Sequence, residues 1–399
     1  MLNAVVAALL CALASQGSPY GEAERLAREG RTAEAIAAFE RILERNPADN
    51  DARMWIARLE LRMGHTKTSE DIFRAVLREH PADVDARIGL GVVLTRKGDY
   101  DGALAILQQA ETDAGQNADL YGALARAYRR SGDDRRALDY YRRAVALSPN
   151  DPELVDDLET VTRIYGHAIG VEGFAQRVTS GPTIGSGTVT AAVRVAPRLR
   201  VEAMSRLQNS PGHSDVLAGG GVVWRAGRLS TLAVRAAGGP DNIALARSAV
   251  SGEFVYYAGV QEIGASARRL SYSTADVVAV SPGYAWDRGG RWRVDGRYTY
   301  SRSRFTETGE VSGDHSVMLR DTWRGWRRVW IDTTYAYGIE SFEDLTADRL
   351  GSLGASTLAT GVRVNLPSTT VLTTTWEHQW RSNATRLDRV TLAIVQSFR

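Results

Sequence analysis

Residues 291–301 read Arg-Trp-Arg-Val-Asp-Gly-Arg-Tyr-Thr-Tyr-Ser, and their alternation decides the fold of the second half of the chain. Even positions hold Trp292, Val294, Gly296, Tyr298 and Tyr300, whereas odd positions hold Arg291, Arg293, Asp295, Arg297, Thr299 and Ser301. A period of two puts an aromatic and apolar face opposite a charged one, which is the signature of a strand between two different environments. The same alternation returns in Val329, Ile331, Thr333, Tyr335, Tyr337 and Ile339, and in Leu358, Thr360, Val362, Val364 and Leu366. Val390, Leu392, Ile394 and Phe398 form the last such row.

Three features distinguish these strands from those of a soluble sandwich. They run for about 9–14 residues, enough for a tilted membrane crossing. Their polar faces carry many Arg, Asp and Glu, as a hydrated lumen does. Aromatics gather near strand ends: Trp286 and Trp292 flank one turn, and Trp323, Trp326 and Trp330 flank the next. Together with Trp376 and Trp380 they are candidates for membrane-interface positions. Connections alternate in length. Short ones fall near Pro197, Gly227, Gly259, Gly289, Gly325 and Pro367. Longer polar ones fall at 179–186, 208–214, 238–248, 304–313, 341–352 and 382–387, with a shorter one near Ser273. That asymmetry predicts an antiparallel transmembrane β-barrel over 170–399, of about 14 strands, or twelve if the weak first segments lie outside it. Closure would satisfy every backbone group without water. Phe398 is penultimate, a departure from the terminal aromatic usual in outer-membrane proteins.

The first half is built differently. Residues 1–170 hold 22 Lys and Arg against 27 Asp and Glu, whereas 171–399 hold 27 Arg, no Lys and 20 acidic residues. Eight of nine Trp lie in the second part, Trp55 being the exception. Gly30, Gly64, Gly98 and Gly132 are spaced by 34, with Pro47, Pro81 and Pro149 on the same grid. Ala35, Ser69, Ala103 and Ala137 follow in phase, and the stretch 119–152 carries the fullest copy. This pattern resembles the tetratricopeptide repeat, a helical hairpin that must stack on neighbours to bury its apolar face. The domain is expected over 15–166, with residues 153–166 as a closing helix, so the chain is α + β and multidomain: an α-solenoid followed by a barrel. Ahead of it, Ala4–Ala14 is an apolar run ending in Ala12-Leu13-Ala14, read as a signal peptide over 1–14. Its removal would take away Cys11, the single cysteine.

The stretches Ser281-Pro282-Gly283-Tyr284, Tyr298-Thr299-Tyr300-Ser301 and Tyr335-Ala336-Tyr337-Gly338-Ile339-Glu340 resemble the YaiO-like outer-membrane family. The resemblance implies an outer-membrane barrel with periplasmic repeats. In layout the chain is also similar to exopolysaccharide export porins.

A net charge of +2 gives no support to a nucleic-acid-coating protein. No metal, cofactor or nucleotide motif is present, and Gly219-Gly220-Gly221 sits in a strand pattern with no Lys after it. The barrel histidines, His213, His315 and His378, do not assemble a catalytic set along the sequence. No enzymatic role is expected. Two functions fit: export or assembly of surface polymer, or a non-conducting barrel that anchors a repeat scaffold. For the first, Arg268, Arg293, Arg297, Arg302, Arg320 and Arg363 are candidates for the lumen or mouth, where guanidinium groups would meet an anionic polymer. For the second, the same arginines would pair with Asp295, Asp321, Asp332 and Glu377. Outer-membrane lipid and a periplasmic protein or peptide bound by the repeats are the expected partners.

Overall fold

The computed structural model describes residues 18–398 except 180, 228, 259, 289–290, 327, 339–353 and 383–384. The signal-peptide reading of 1–14, with Cys11, lies outside the described residues. Contacts divide the chain into two units, the first ending at Leu158 and the second beginning at Glu159.

The first unit is a series of antiparallel helices: α1 (Pro19–Arg28), α2 (Thr32–Arg45), α3 (Asn50–Met63), α4 (Thr66–Glu79), α5 (Val84–Lys97), α6 (Tyr100–Ala114), α7 (Ala118–Arg130), α8 (Asp134–Leu147) and the start of α9 (Pro152–Tyr165). The glycines of the 34-residue grid explain the hairpins. Gly30, Gly64, Gly98 and Gly132 have φ of +79°, +90°, +87° and +86°. That left-handed conformation ends one helix and costs glycine no Cβ clash. The next helix starts on a side-chain cap where the sequence supplies one, as where Asp99 and Asp133 accept from the backbone N–H groups of Gly102 and Arg136. Ala35, Ser69, Ala103 and Ala137 are fully buried, and so are Phe39, Phe73, Leu107 and Tyr141 four residues further on. One small and one large residue on the same helical stripe make a layer per repeat.

Helix α5 adds a second close approach. A Cβ at Gly89 would lie 2.3 Å from the Phe73 ring, and one at Gly91 would lie 2.5 Å from the Leu107 side chain. Arginine clamps also follow the repeat. Arg53 donates to the Pro47 carbonyl and to Glu79 Oε2 (2.9 Å). Arg87, 34 residues on, donates to the Pro81 carbonyl (2.7 Å) and pairs with Asp113 (2.5 Å).

The second unit is a closed antiparallel barrel of 14 strands: β1 (His167–Val178), β2 (Thr183–Ala196), β3 (Leu199–Ser210), β4 (His213–Arg225), β5 (Ser230–Gly238), β6 (Ser248–Ala258), β7 (Gln261–Ser271), β8 (Ala275–Arg288), β9 (Trp292–Phe305), β10 (Val311–Trp326), β11 (Val329–Gly338), β12 (Ala355–Asn365), β13 (Thr370–Arg381) and β14 (Arg386–Phe398). The twelve-strand alternative is overturned. The weak first segment is β1, which pairs with β14 from His167↔Phe398 to Val178↔Leu387 and closes the cylinder. The short connection expected near Gly325 falls just beyond it, between Trp326 and Val329; Gly325 itself lies inside β10 at a register shift between Arg324 and Trp326. Both barrel termini and the short connections share one end, called here the terminus end. The longest connections lie at the other, the loop end, although β3 and β4 meet there through residues 211–212 alone, so the longer connection expected at 208–214 is a tight turn. Exposed apolar side chains occupy alternate positions facing outward, among them Val171, Val189, Val234, Ile263, Leu319 and Leu392. The intervening positions face the lumen.

The last turns of α9 belong to this second unit. Arg194 donates to the Tyr165 and Ile164 carbonyls at 2.7 and 3.0 Å, and Arg328 pairs with Glu159 at 3.3 Å. The last carbonyls of a helix lack intrahelical donors, and Arg194 supplies one.

Two tests follow from the repeat core. Gly89→Ala should gain roughly 1 kcal/mol of helix propensity but lose about 1–3 kcal/mol to overpacking on Phe73. A lower thermal midpoint is therefore expected, with partial recovery when Phe73→Leu is added. The second test concerns Tyr140, whose phenol is raised from 10.0 to about 12, first by burial and then by its hydrogen bond to Glu111. Tyr20 is raised to about 12 as well, by burial and then by the charge of Asp49. Unfolded phenols ionise near 10.0 and these resist, so their stabilisation is complete below that pH and is lost as pH rises towards about 12. Helical circular dichroism should fall across that window, less so in Tyr140→Phe.

Candidate functional site in the barrel lumen

The inward positions of β10 to β14 and β1 surround a cavity of about 390 Å³ lined by Glu172, Arg320, Asp332, Arg363, Glu377 and Arg389 with smaller Thr, Ala and Gly. The inward positions of β1 to β7 surround a second, of about 570 Å³. Its charged lining is Arg200, Glu202, Arg235 and Arg268, and the rest is largely apolar, with Met204, Leu217, Leu270 and Val395 set among Ala, Gly, Ser and Thr. The glycines of β4 belong here. A Cβ at Gly219 would lie 2.3 Å from the Ala236 carbonyl, and one at Gly221 would lie 2.6 Å from the Val234 carbonyl. Gly219-Gly220-Gly221 therefore lets neighbouring strands approach closely.

Lumen charges are largely paired across neighbouring strands. Arg235 on β5 reaches Glu202 on β3 at 2.9 Å and Glu253 on β6 at 3.3 Å. Arg293 on β9 reaches Glu262 on β7 at 2.5 Å and Asp295 at 3.9 Å. Arg363 on β12 reaches Asp332 on β11 at 3.3 Å, and Asp332 also accepts from Thr322 at 2.8 Å. Arg389 on β14 is buried, pairs with Glu377 at 3.7 Å and donates to Gln176 on β1 at 2.6 Å. Arg293 and Asp295 share a strand; the other pairs span one or two strands at the 4.7–4.9 Å strand spacing. Asp321 takes the outward face, in register with Val294, and accepts from the Trp292 indole instead. The pairs leave the wall polar and nearly balanced in charge, with donors and acceptors side by side.

The sequence-derived arginines are not brought together as one site. Arg320 and Arg363 line the first cavity and Arg268 the second; Arg293 and Arg297 line a third, of about 130 Å³. Arg302 takes the outward face. It shares the parity of Tyr298 and Tyr300 and lies near the loop end of β9, so it belongs to the rim outside the lumen. Arg235, Arg389, Glu202 and Glu253 were missed. The signal that finds them is parity within each strand, rather than residue type.

Parity also sorts the aromatics. Trp286 and Trp292 meet edge to face at 5.6 Å near the terminus end, and Trp323 and Trp326 are exposed there. Trp376 and Trp380 face outward towards the loop end, with His378 between them. Trp330 is the exception. It lies opposite Val329 and Ile331, in phase with Asp332, and therefore faces the lumen, stacked under Arg324 at 5.1 Å and Arg363 at 5.9 Å. That placement corrects its assignment to the membrane interface.

At the loop end the connection between β5 and β6 turns inward. Asp215, on an inward position of β4, is buried and accepts from the backbone N–H groups of Ile243 (3.1 Å), Ala244 (2.6 Å) and Leu245 (2.7 Å). Asn242 accepts from the Val216 N–H at 3.0 Å and donates to the Ala246 carbonyl at 2.9 Å. Ala246 packs on Tyr272, Val277 and Leu270, the last two on inward positions. A buried carboxylate holding three backbone donors is a strong local anchor, so this segment narrows the mouth.

Of the three barrel histidines named from the sequence, His213 shares the inward parity of Asp215, and His315 and His378 lie on the outer wall. His378 Nδ1 is 2.7 Å from Asp388, and His315 Nδ1 is 2.5 Å from the Tyr298 hydroxyl. No group of three or more His, Cys, Asp or Glu that could hold a metal ion occurs among the described residues.

The tetratricopeptide repeat family model matches residues 20–156. No curated protein matches the chain. Among solved structures, the repeats are similar to a thermophilic tetratricopeptide-repeat protein of Thermus thermophilus, at 27% identity over 36% of this chain and 79% of that one, with a TM-score of 0.34. The CymD monoaromatic hydrocarbon channel is similar at 8% identity over 60% of this chain and 91% of that one, with a TM-score of 0.42. A bacterial polysaccharide outer-membrane secretin is similar at 14% identity over 59% and 99%, also with a TM-score of 0.42. The chain thus joins tetratricopeptide repeats to a closed 14-stranded antiparallel β-barrel.

Proposed function

We propose that this chain is a YaiO-like outer-membrane protein that takes part in export or assembly of a surface polymer such as exopolysaccharide. In this reading the signal peptide directs secretion, the repeats face the periplasm, and the loop end faces outward. The observation that carries it is the lumen lining. Rows of arginine–carboxylate pairs and small side chains border cavities of about 390 and 570 Å³ behind an apolar outer wall. A polyhydroxylated chain meets both donors and acceptors along such a wall. Balanced charge keeps each contact weak, as passage requires. An anionic polymer is compatible with it, since each paired guanidinium retains donors that its carboxylate does not use. The repeats would recruit a periplasmic protein or peptide partner.

One observation favours the second reading, a non-conducting anchor: the pairs bridge strands, and the segment held by Asp215 narrows the mouth. Single-channel conductance in planar bilayers separates the two. The export reading expects conductance from the mature chain, and a rise when 15–166 is deleted would make the repeats a gate. Silence from both proteins, shown folded by heat-modifiable mobility, would leave the anchor. Asp215→Ala should release the inward segment and raise conductance, since hydrogen bonds to a charged group are worth about 1.5–3 kcal/mol each. Protease applied to intact cells should spare 15–166, and cleavage there would reverse the orientation.

A further inference from the structure

The outward wall carries charge only near strand ends, and at the loop end it carries a cluster of arginines. Arg269 on β7, Arg302 and Arg304 on β9 are all exposed and outward. Register places them together: Arg269 pairs with Val278 on β8, and Val278 pairs with Arg302. Arg269 and Arg302 are thus two strand spacings apart, about 10 Å, and Arg304 lies one same-face step beyond Arg302, about 7 Å. None of the three makes a hydrogen bond or ion pair among the described residues. Asp276, the register partner of Arg304, is the one carboxylate on the outward face of these strands beside them, and Glu307 and Glu310 lie in the connection beyond Arg304 without an ion pair to any of the three. Val278 lies at the level of the arginines, and Val280, Tyr298 and Tyr300 continue towards the middle of the wall as an exposed apolar and aromatic surface.

Arginines at the edge of a lipid-facing wall mark the level where hydrocarbon gives way to headgroups. None of these three is held in an ion pair there among the described residues. We propose that Arg269, Arg302 and Arg304 bind the phosphates of a phosphorylated glycolipid in the leaflet at the loop end, with its acyl chains lying against Val278, Val280 and the two tyrosines. Three considerations select this occupant. Guanidinium forks match phosphate oxygens in a bidentate manner. The cluster is continuous with the apolar wall, which suits an anion carrying acyl chains better than a soluble polymer. The opposite wall offers two outward arginines rather than three, Arg177 and Arg386, with Asp388 in register with Arg177 and bonded to His378. The inference rests on the membrane reading of the barrel and is independent of whether the lumen conducts.

The test uses the full-length mature protein in detergent, probed with diphosphoryl lipid A, with the same lipid stripped of phosphate, and with inorganic phosphate as competitor. Binding is read by native mass spectrometry, and folding by heat-modifiable mobility. Wild type should retain the diphosphoryl lipid and lose it when phosphate is removed from the probe. Each of Arg269→Gln, Arg302→Gln and Arg304→Gln should weaken binding about fivefold, and the triple variant roughly a hundredfold if the three act independently. Arg177→Gln with Arg386→Gln should leave it within about twofold of wild type. Four results would overturn the proposal: equal binding by the triple variant, equal loss in the opposite-wall control, phosphate-independent binding, or full displacement by millimolar inorganic phosphate, which would mean an anion site without a lipid. An inverted orientation would appear in the protease experiment and leave this binding in detergent unchanged.

Discussion

The barrel depends on one pairing more than any other, the twelve-residue register between β1 and β14 from His167↔Phe398 to Val178↔Leu387. Without it the sheet has two open edges of unpaired N–H and C=O groups, which cannot stand in hydrocarbon. With it every strand has two neighbours, and the inside and outside of the wall become distinct surfaces. The alternation of each strand then acquires meaning, because the same parity rule applies around the whole circumference.

Once closed, the wall sorts charge by face. Inside, arginines find carboxylates one or two strands away, as Arg235 does with Glu202 and Glu253 and Arg363 with Asp332. Desolvation is partial there, so such pairs orient and tie strands more than they stabilise the fold. Outside, charged side chains such as Arg177, Arg302 and Arg386 stand near the strand ends. The inward turn held on Asp215 shows how the loop end uses the same resource, with one carboxylate organising a whole segment through its backbone donors.

The repeat unit solves the opposite problem, a core built from local contacts alone. Each hairpin places a small residue such as Ala103 beside a large one such as Leu107, and a left-handed glycine reverses the chain. Arg53 and Arg87 add a longer-range tie at the same 34-residue period, each holding a proline carbonyl and an acidic residue on a neighbouring helix. That period was legible in the sequence, but the clamps were not. An arginine on a helix face looks like any solvated charge until its carbonyl partner is brought beside it.

The sequence by itself determined the periodic features. Spacing of 34 gave the hairpins, and period two gave the strands and the barrel. These are local properties, set by neighbours within one turn or one strand. Even the outward placement of Arg302 and the inward placement of Trp330 were present in the parity of their own strands, hidden when residues were grouped by chemical type. Tertiary structure alone decided the rest. It fixed the inclusion of β1 in the closed wall, the bulge that keeps Gly325 within β10, the partner of each lumen arginine, and the assembly of Arg269 with Arg302 across Val278. All of these follow from interstrand register, which joins residues far apart along the chain. A one-residue slip would reassign every one of them without altering any strand's own pattern.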